Sequence, residues 1–224
     1  MGCASTRSES EPIETILVQS EGKLGYLQHD AKMIDMEIGK FKSAGLIPAG
    51  QAKKFATKMR LPFANAAHVP NTELFYGHFQ QGEDYLYTSM NVLAIMLSTG
   101  SAIEKIKLLF ESHDPEHKRE MSMESFLDLV NIMVAIAVQY LPDFLDYNAL
   151  SLIEKDDVSR YLAKLKGKQS AAATAIANRL CSCEGHPPER VRVKDLQENV
   201  RDPAIGALTS PTGIRRFIRT LDDA

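Results

Sequence analysis

Tryptophan is absent from the 224 residues, and aromatic residues make up only 7% of them. Basic residues nowhere interleave with aromatics, so the chain lacks a platform for stacking single-stranded nucleic acid. Three cysteines, Cys3, Cys181 and Cys183, make no disulfide framework, which agrees with a reducing compartment. The N-terminus has no apolar secretory core, so the chain is expected on the cytoplasmic side of the membrane. A net charge of -3 gives no global attraction to nucleic acid or anionic lipid, and any basic surface must be local. G-x-S-x-G, Walker, G-x-G-x-x-G and H-E-x-x-H motifs are all missing. The expectation is a protein that is not an enzyme and takes no small-molecule substrate.

Long hydrophobic runs are scarce as well. The most apolar stretch, residues 126–141, contains an unbroken run at 132–138 but is interrupted or flanked by Glu124, Asp128, Asn131 and Gln139. It reads as too short and too polar for a membrane span, and predicts a central helix buried on most sides.

The opening Met1-Gly2-Cys3-Ala4-Ser5-Thr6 matches the N-myristoylation pattern M-G-x-x-x-[ST]. Gly2 would carry a myristoyl chain on its amine, and Cys3 beside it could take a palmitoyl chain. One chain holds a protein to a bilayer marginally, whereas two anchor it stably. Residues 1–12 are small, polar and charged, and read as the acylated tether.

Beyond them nearly every segment has a helical period, and alternating strand patterns are nearly absent. Pro48 can open a helix carrying Phe55 and Met59, which Pro62 closes. Ser101 and Glu104 form a capping box, Gly167 is placed to end the helix at 157–166, and residues 170–181 form an alanine-rich helix. Ser210 and Pro211 start a last helix with Ile214, Phe217, Ile218 and Leu221 on one side and Arg215, Arg216 and Arg219 beside them. This basic amphipathic segment either docks with a solvated arginine face or lies on an anionic bilayer. The class is all-α: N-terminal helices at 13–69, one lobe at 70–142 and a second at 143–224.

The helices pair through a hidden repeat. A helix ends at Phe110, Asp114 begins a twelve-residue loop, Met121 is its eighth residue and Ser125 its twelfth. The same register can be laid on residues 80–91, 146–157 and 184–195, placing Tyr87, Ile153 and Val191 at the eighth position. Tyr87 is expected to bridge Met121, and Ile153 to bridge Val191.

With this spacing, residues 72–205 resemble the EF-hand superfamily. The acylation motif makes the layout similar to neuronal calcium sensors and calcineurin-B-like proteins. It also resembles the EF-hand-like N-terminal region of TLDc-domain proteins, although no TLDc domain follows. The resemblance implies paired helix-loop-helix lobes and a groove for a protein or amphipathic-helix partner.

A calcium loop needs oxygen ligands at its first, third, fifth and ninth positions, glycine at the sixth and a bidentate glutamate at the twelfth. The loop at 114–125 has Lys118 fifth, Arg119 sixth and Ser125 twelfth. The loop at 80–91 carries too little negative charge, and that at 184–195 is broken by His186, Pro187, Pro188, Arg190 and Arg192. Residues 146–157 keep the most donors, making Asp146, Asn148, Glu154 and Asp157 the candidate calcium ligands. No cofactor is otherwise implied.

His113 and His117 flank Pro115 and read as a polar loop rather than a metal pair. Cys181, Cys183 and His186 lack the fourth ligand of a structural zinc. Methionines cluster around the first two loops, which points to a peptide groove at Met96, Leu109 and Phe126. The expected function is a lipid-anchored adaptor that recruits a protein partner to the cytoplasmic face of a membrane largely without calcium. A calcium sensor acting through the third loop and an α-solenoid scaffold are the alternatives.

Overall fold

The computed structural model describes residues 10–64, 70–114, 116–181 and 190–221, and its architecture is all-α with a few short strands. Three helices open the chain: α1 (Ser10–Gly22), α2 (Ala31–Gly39) and α3 (Ala49–Lys58), with strand β1 (Leu46–Ile47) between the last two. Asp30 caps α2 by accepting from the N–H groups of Lys32 and Met33. Pro48 stands at the N-cap of α3, as its fixed backbone angle predicts.

Helix α4 (Thr72–Gly77) leads through the hairpin β2 (Gln80–Gln81) and β3 (Asp84–Leu86) into α5 (Tyr87–Leu97). Then come α6 (Ala102–Ser112), β4 (Glu120–Ser122) and α7 (Met123–Ala135). Ser101 accepts from Glu104 N–H at 3.2 Å, the serine half of the capping box its spacing predicts. Helix α7 continues without a break through a wide π-helical turn (Ile136–Tyr140) into α8 (Leu141–Asp143).

The resulting helix, Met123–Asp143, runs 21 residues, longer than the apolar stretch alone suggests. By length and composition it could cross a bilayer, which corrects the expectation drawn from residues 126–141. Its Phe126, Leu129, Val130, Met133, Val134, Ile136 and Val138 are instead buried in the core.

Helix α9 (Leu152–Gly167) ends at the predicted glycine, and α10 (Gln169–Cys181) packs along α7. Strand β5 (Arg190–Arg192), α11 (Val193–Glu198), α12 (Pro203–Ala207) and α13 (Pro211–Thr220) complete the chain. Ser210 Oγ caps α13 by accepting from Gly213 N–H at 3.1 Å. Gly213 lets this first turn lie on α12, since a Cβ there would fall 2.7 Å from the Ala207 carbonyl oxygen.

The strand pairing departs from the expected one. Met121 lies opposite Val191 in an antiparallel β4–β5 ribbon, with Glu120 opposite Arg192 and Ser122 opposite Arg190. The second ribbon pairs Leu46 with Leu86 and Ile47 with Tyr85. Thus Met121 and Val191 are both strand-bridging residues, but they bridge each other. Tyr87 is the first residue of α5, one position past the strand. Ile153 sits in the first turn of α9, 75% exposed beside Leu152 at 80%. Residues 146–157 therefore form no strand, because Ser151 and Glu154 close a capping box that starts α9 early.

One continuous apolar cluster links both ribbons, from Leu17 in α1 to Ile218 in α13. Contacts between the first and last helices distinguish the fold from an open solenoid, where each repeat touches only its neighbours.

Candidate functional site

The β4–β5 ribbon and the loop feeding it concentrate the polar chemistry that the sequence singles out. Asp114 is only 5% exposed and turns its carboxylate back on its own loop. Oδ1 accepts from Lys118 N–H at 3.2 Å, and Oδ2 accepts from Arg119 N–H at 2.7 Å. These bonds hold Arg119 at φ 60°, the left-handed conformation for which a calcium loop uses glycine.

Cations of the chain occupy the surroundings. The Lys118 ammonium pairs with Glu116, and that hydrogen bond holds its pKa above the usual lysine value. Arg190 pairs with Glu120 across the ribbon. Arg192 meets Asp195 with two donors, Nε to Oδ2 at 2.9 Å and Nη2 to Oδ1 at 3.1 Å. Glu116, Glu120 and Asp195 are therefore each neutralised from within the chain. His113, at the end of α6, is half-buried, and burial pushes its pKa down despite the nearby Asp128 charge.

Three of the candidate calcium ligands of the third loop, Asp146, Glu154 and Asp157, take part in local contacts. Asp146 Oδ1 accepts from Asn148 N–H at 3.0 Å and caps a single 3₁₀ turn, Tyr147–Ala149. Glu154 Oε2 accepts from Ser151 N–H at 2.8 Å, and this bond holds its carboxyl below the usual range. Asp157 lies within α9, 3.7 Å from Arg160. Among the described residues no three His, Cys, Asp or Glu side chains gather as a metal site. Early initiation of α9 carries Glu154 and Asp157 up a helix and away from a loop geometry.

The candidate groove residues are likewise not at a surface. Met96, Leu109 and Phe126 are 1%, 2% and 1% exposed, all within the common core. Polar substitution there would unfold the chain rather than report on a partner. Gly2 and Cys3, the candidate acylation residues, lie outside the described residues, as do Pro115, Cys183, His186 and the side chain of Cys181.

Helix α13 brings the clearest correction. Arg215, read as part of a basic solvent face, is fully buried. Its Nε and Nη2 donate to Glu14 at 3.0 Å each, and Nη1 donates to the Ala137 carbonyl at 3.1 Å. Nη1 also lies 2.7 Å from Glu21, while the Tyr161 hydroxyl donates to Glu14. Ala137 lies within the π turn. Burial raises the Glu21 pKa, and the Arg215 charge offsets part of that rise. The cluster locks α1 onto α13, α9 and the centre of the long helix. Only Arg216, exposed, and Arg219, partly so, remain of the basic face.

Sequence reasoning also missed the β1–β3 ribbon. The signal was present in Ala44-Gly45-Leu46-Ile47: two left-handed residues, φ 48° and 81°, followed at once by an apolar pair. A second buried polar pair, Tyr26 and Tyr76, shares a hydroxyl hydrogen bond of 3.0 Å in this half. Comparison with family models, with curated proteins and with solved structures found no match to the chain.

Proposed function

We propose that the chain is a lipid-anchored, EF-hand-like adaptor that holds a protein partner at the cytoplasmic face of a membrane without using calcium. The loop at 114–125 carries this reading. Asp114 gives both carboxylate oxygens to backbone N–H groups, while Lys118 and Arg119 stand where a ligand and the turn glycine belong. A loop closed by its own donors has no charge left for a cation to release, so the calcium-driven opening of a sensor hand lacks its trigger. Such a unit keeps one state, and control falls to acylation and to partner abundance.

The motif Gly2-Cys3-Ala4-Ser5-Thr6 supports the anchoring half of the reading. Since Met96, Leu109 and Phe126 are core side chains, an apolar partner would have to meet exposed residues such as Leu152 and Ile153.

Two measurements test the reading. Affinity for a captured partner is compared in millimolar calcium and in chelator, with equal values expected. A tenfold difference, about 1.4 kcal/mol, would make at least one loop a working sensor. Separately, Gly2→Ala should move the protein from the membrane fraction of cells to the supernatant. If the variant sediments as wild type does, acylation is not the anchor.

A further inference from the structure

Between Glu37 and Glu73 the chain carries no carboxylate, yet it carries Lys40, Lys42, Lys53, Lys54, Lys58 and Arg60. All six are exposed in a molecule whose net charge is -3. The fold gathers them. Helix α3 buries Ala52, Phe55 and Ala56, so at 100° per residue Lys53, Lys54 and Lys58 share its outer face. Lys40, at the end of α2, reaches one oxygen of Glu37 at 2.7 Å while Lys58 reaches the other at 2.5 Å. The two ammonium groups therefore sit side by side on one carboxylate, joining the end of α2 to the face of α3. Lys42 stands 4.4 Å from the centre of the Tyr87 ring, and Arg60 follows α3 directly.

Glu37 offsets part of the charge of this face by pairing with Lys40 and Lys58, and the other carboxylates border it. Asp84 accepts from Ala49 N–H at 3.2 Å at the start of α3, Glu83 lies in the adjoining hairpin turn, and Asp35 is turned to Asn91. On α2, Met36 is 56% exposed and lies one turn from both Lys32 and Lys40. An apolar side chain flanked by two lysines suits the boundary between headgroups and acyl chains. It has no use against a nucleic-acid backbone.

We infer that the outer face of α2 and α3 docks on anionic phospholipid headgroups and acts as a second membrane anchor, an inference that rests on the lipid-anchored reading above. One myristoyl chain needs a second signal for stable attachment, and a basic patch is one such signal. Each basic residue near an anionic surface strengthens binding about fivefold. The reach is sufficient. Gly25 packs against Leu61 and Pro62, so the end of α1 lies beside the end of α3. Helix α1, with 13 residues, spans about 20 Å, and the eight residues from Gly2 to Ser10 extend at most about 28 Å. An acyl chain on Gly2 can thus enter the bilayer on which the basic face lies.

The test uses the unacylated full chain, so it is independent of the acyl motif. Sedimentation with phosphatidylcholine vesicles is compared with sedimentation with vesicles containing 30% phosphatidylserine, each at low and at 0.5 M salt. Binding only to the phosphatidylserine vesicles, lost in high salt, is expected. The Lys53→Glu/Lys54→Glu variant should lower it at least tenfold, whereas Lys164→Glu/Lys166→Glu, an equal charge change on the exposed face of α9, should lower it less than threefold. Circular dichroism confirms that both variants fold. Equal loss in the two variants, or binding that ignores phosphatidylserine, overturns the inference. Tighter binding to an RNA oligonucleotide or to polyglutamate than to the anionic vesicles overturns it as well. A Gly2→Ala protein that leaves the membrane in cells while unacylated protein ignores vesicles would sink the basic face and spare the acyl anchor.

Discussion

The two ribbons do the same job with different materials. In β1–β3 the cross-strand partners Leu46–Leu86 and Ile47–Tyr85 are largely apolar, and α3, α4 and β2 lie between the two strands in the chain. In β4–β5 only Met121–Val191 is apolar, and it lies between Glu120–Arg192 and Ser122–Arg190, with Glu120 ion-paired to Arg190. The segments joined by β4–β5 are separated by the long helix, α9 and α10. Where the partners are apolar, the register follows from burial. A distant pair must first be brought together by helices, and complementary charge then helps to select the register. The halves differ in their buried polar groups in the same sense. Near α4 two neutral hydroxyls, Tyr26 and Tyr76, satisfy each other, whereas the C-terminal half is locked by a guanidinium between two carboxylates.

This contrast can be broken at its strongest point first. Arg215→Ala leaves Glu14 and Glu21 buried without a counter-charge and should cost about 3–5 kcal/mol, read from urea unfolding. A loss below about 1 kcal/mol would mean that α1 separates readily and the two ends of the chain are not locked. Ile47→Ala opens a cavity beneath β1, where the side chain is wholly buried, and should cost about 2–4 kcal/mol. If it is neutral, the N-terminal ribbon does not rest on burial.

A pH comparison sharpens the picture where the halves meet. Lys105 in α6 donates to the Met96 carbonyl of α5 at 3.0 Å and to the Thr209 carbonyl after α12 at 3.2 Å. Burial lowers its pKa from 10.5 to about 8. Between these values the unfolded chain holds a proton that the folded chain has released, so this residue makes stability rise with pH from about 8 toward 10.5. Below about 8 the charge is buried in full and the cost is constant. Urea midpoints at pH 7.5 and 9.5 should rise more in wild type than in Lys105→Met. Parallel changes in the two proteins would remove Lys105 as the cause.

The smallest effect tests charge selection itself. Glu120→Arg places a cation opposite Arg192 and beside Arg190 at an exposed ribbon edge, and should cost less than about 1 kcal/mol. High salt should shrink the loss. A loss unchanged by salt would point to packing instead of charge.

Much of the local structure was legible in the chain. The caps at Ser101 and Ser210, the proline opening α3, the glycine ending α9 and the buried central helix all follow from interactions spanning only a few residues. Met121 and Val191 were recognisable as bridging residues from their place as the eighth residue of a twelve-residue loop. Their pairing with each other was not legible, nor was the retreat of Ile153 to the surface. Evenly spaced units satisfy several pairings equally well in sequence.

By itself, then, the sequence determined the helical class and the positions of the caps, because each depends on residue type at short range. Tertiary structure alone decided which strands meet, that Met96, Leu109 and Phe126 are core, and that Arg215 is sealed inside between Glu14 and Glu21. It also gathered Lys40, Lys53, Lys54 and Lys58 on one outer face. An arginine beside an apolar helix stripe looks alike whether it faces water or a buried carboxylate. The difference lies in residues some two hundred positions away, and only the folded chain brings them within hydrogen-bonding distance.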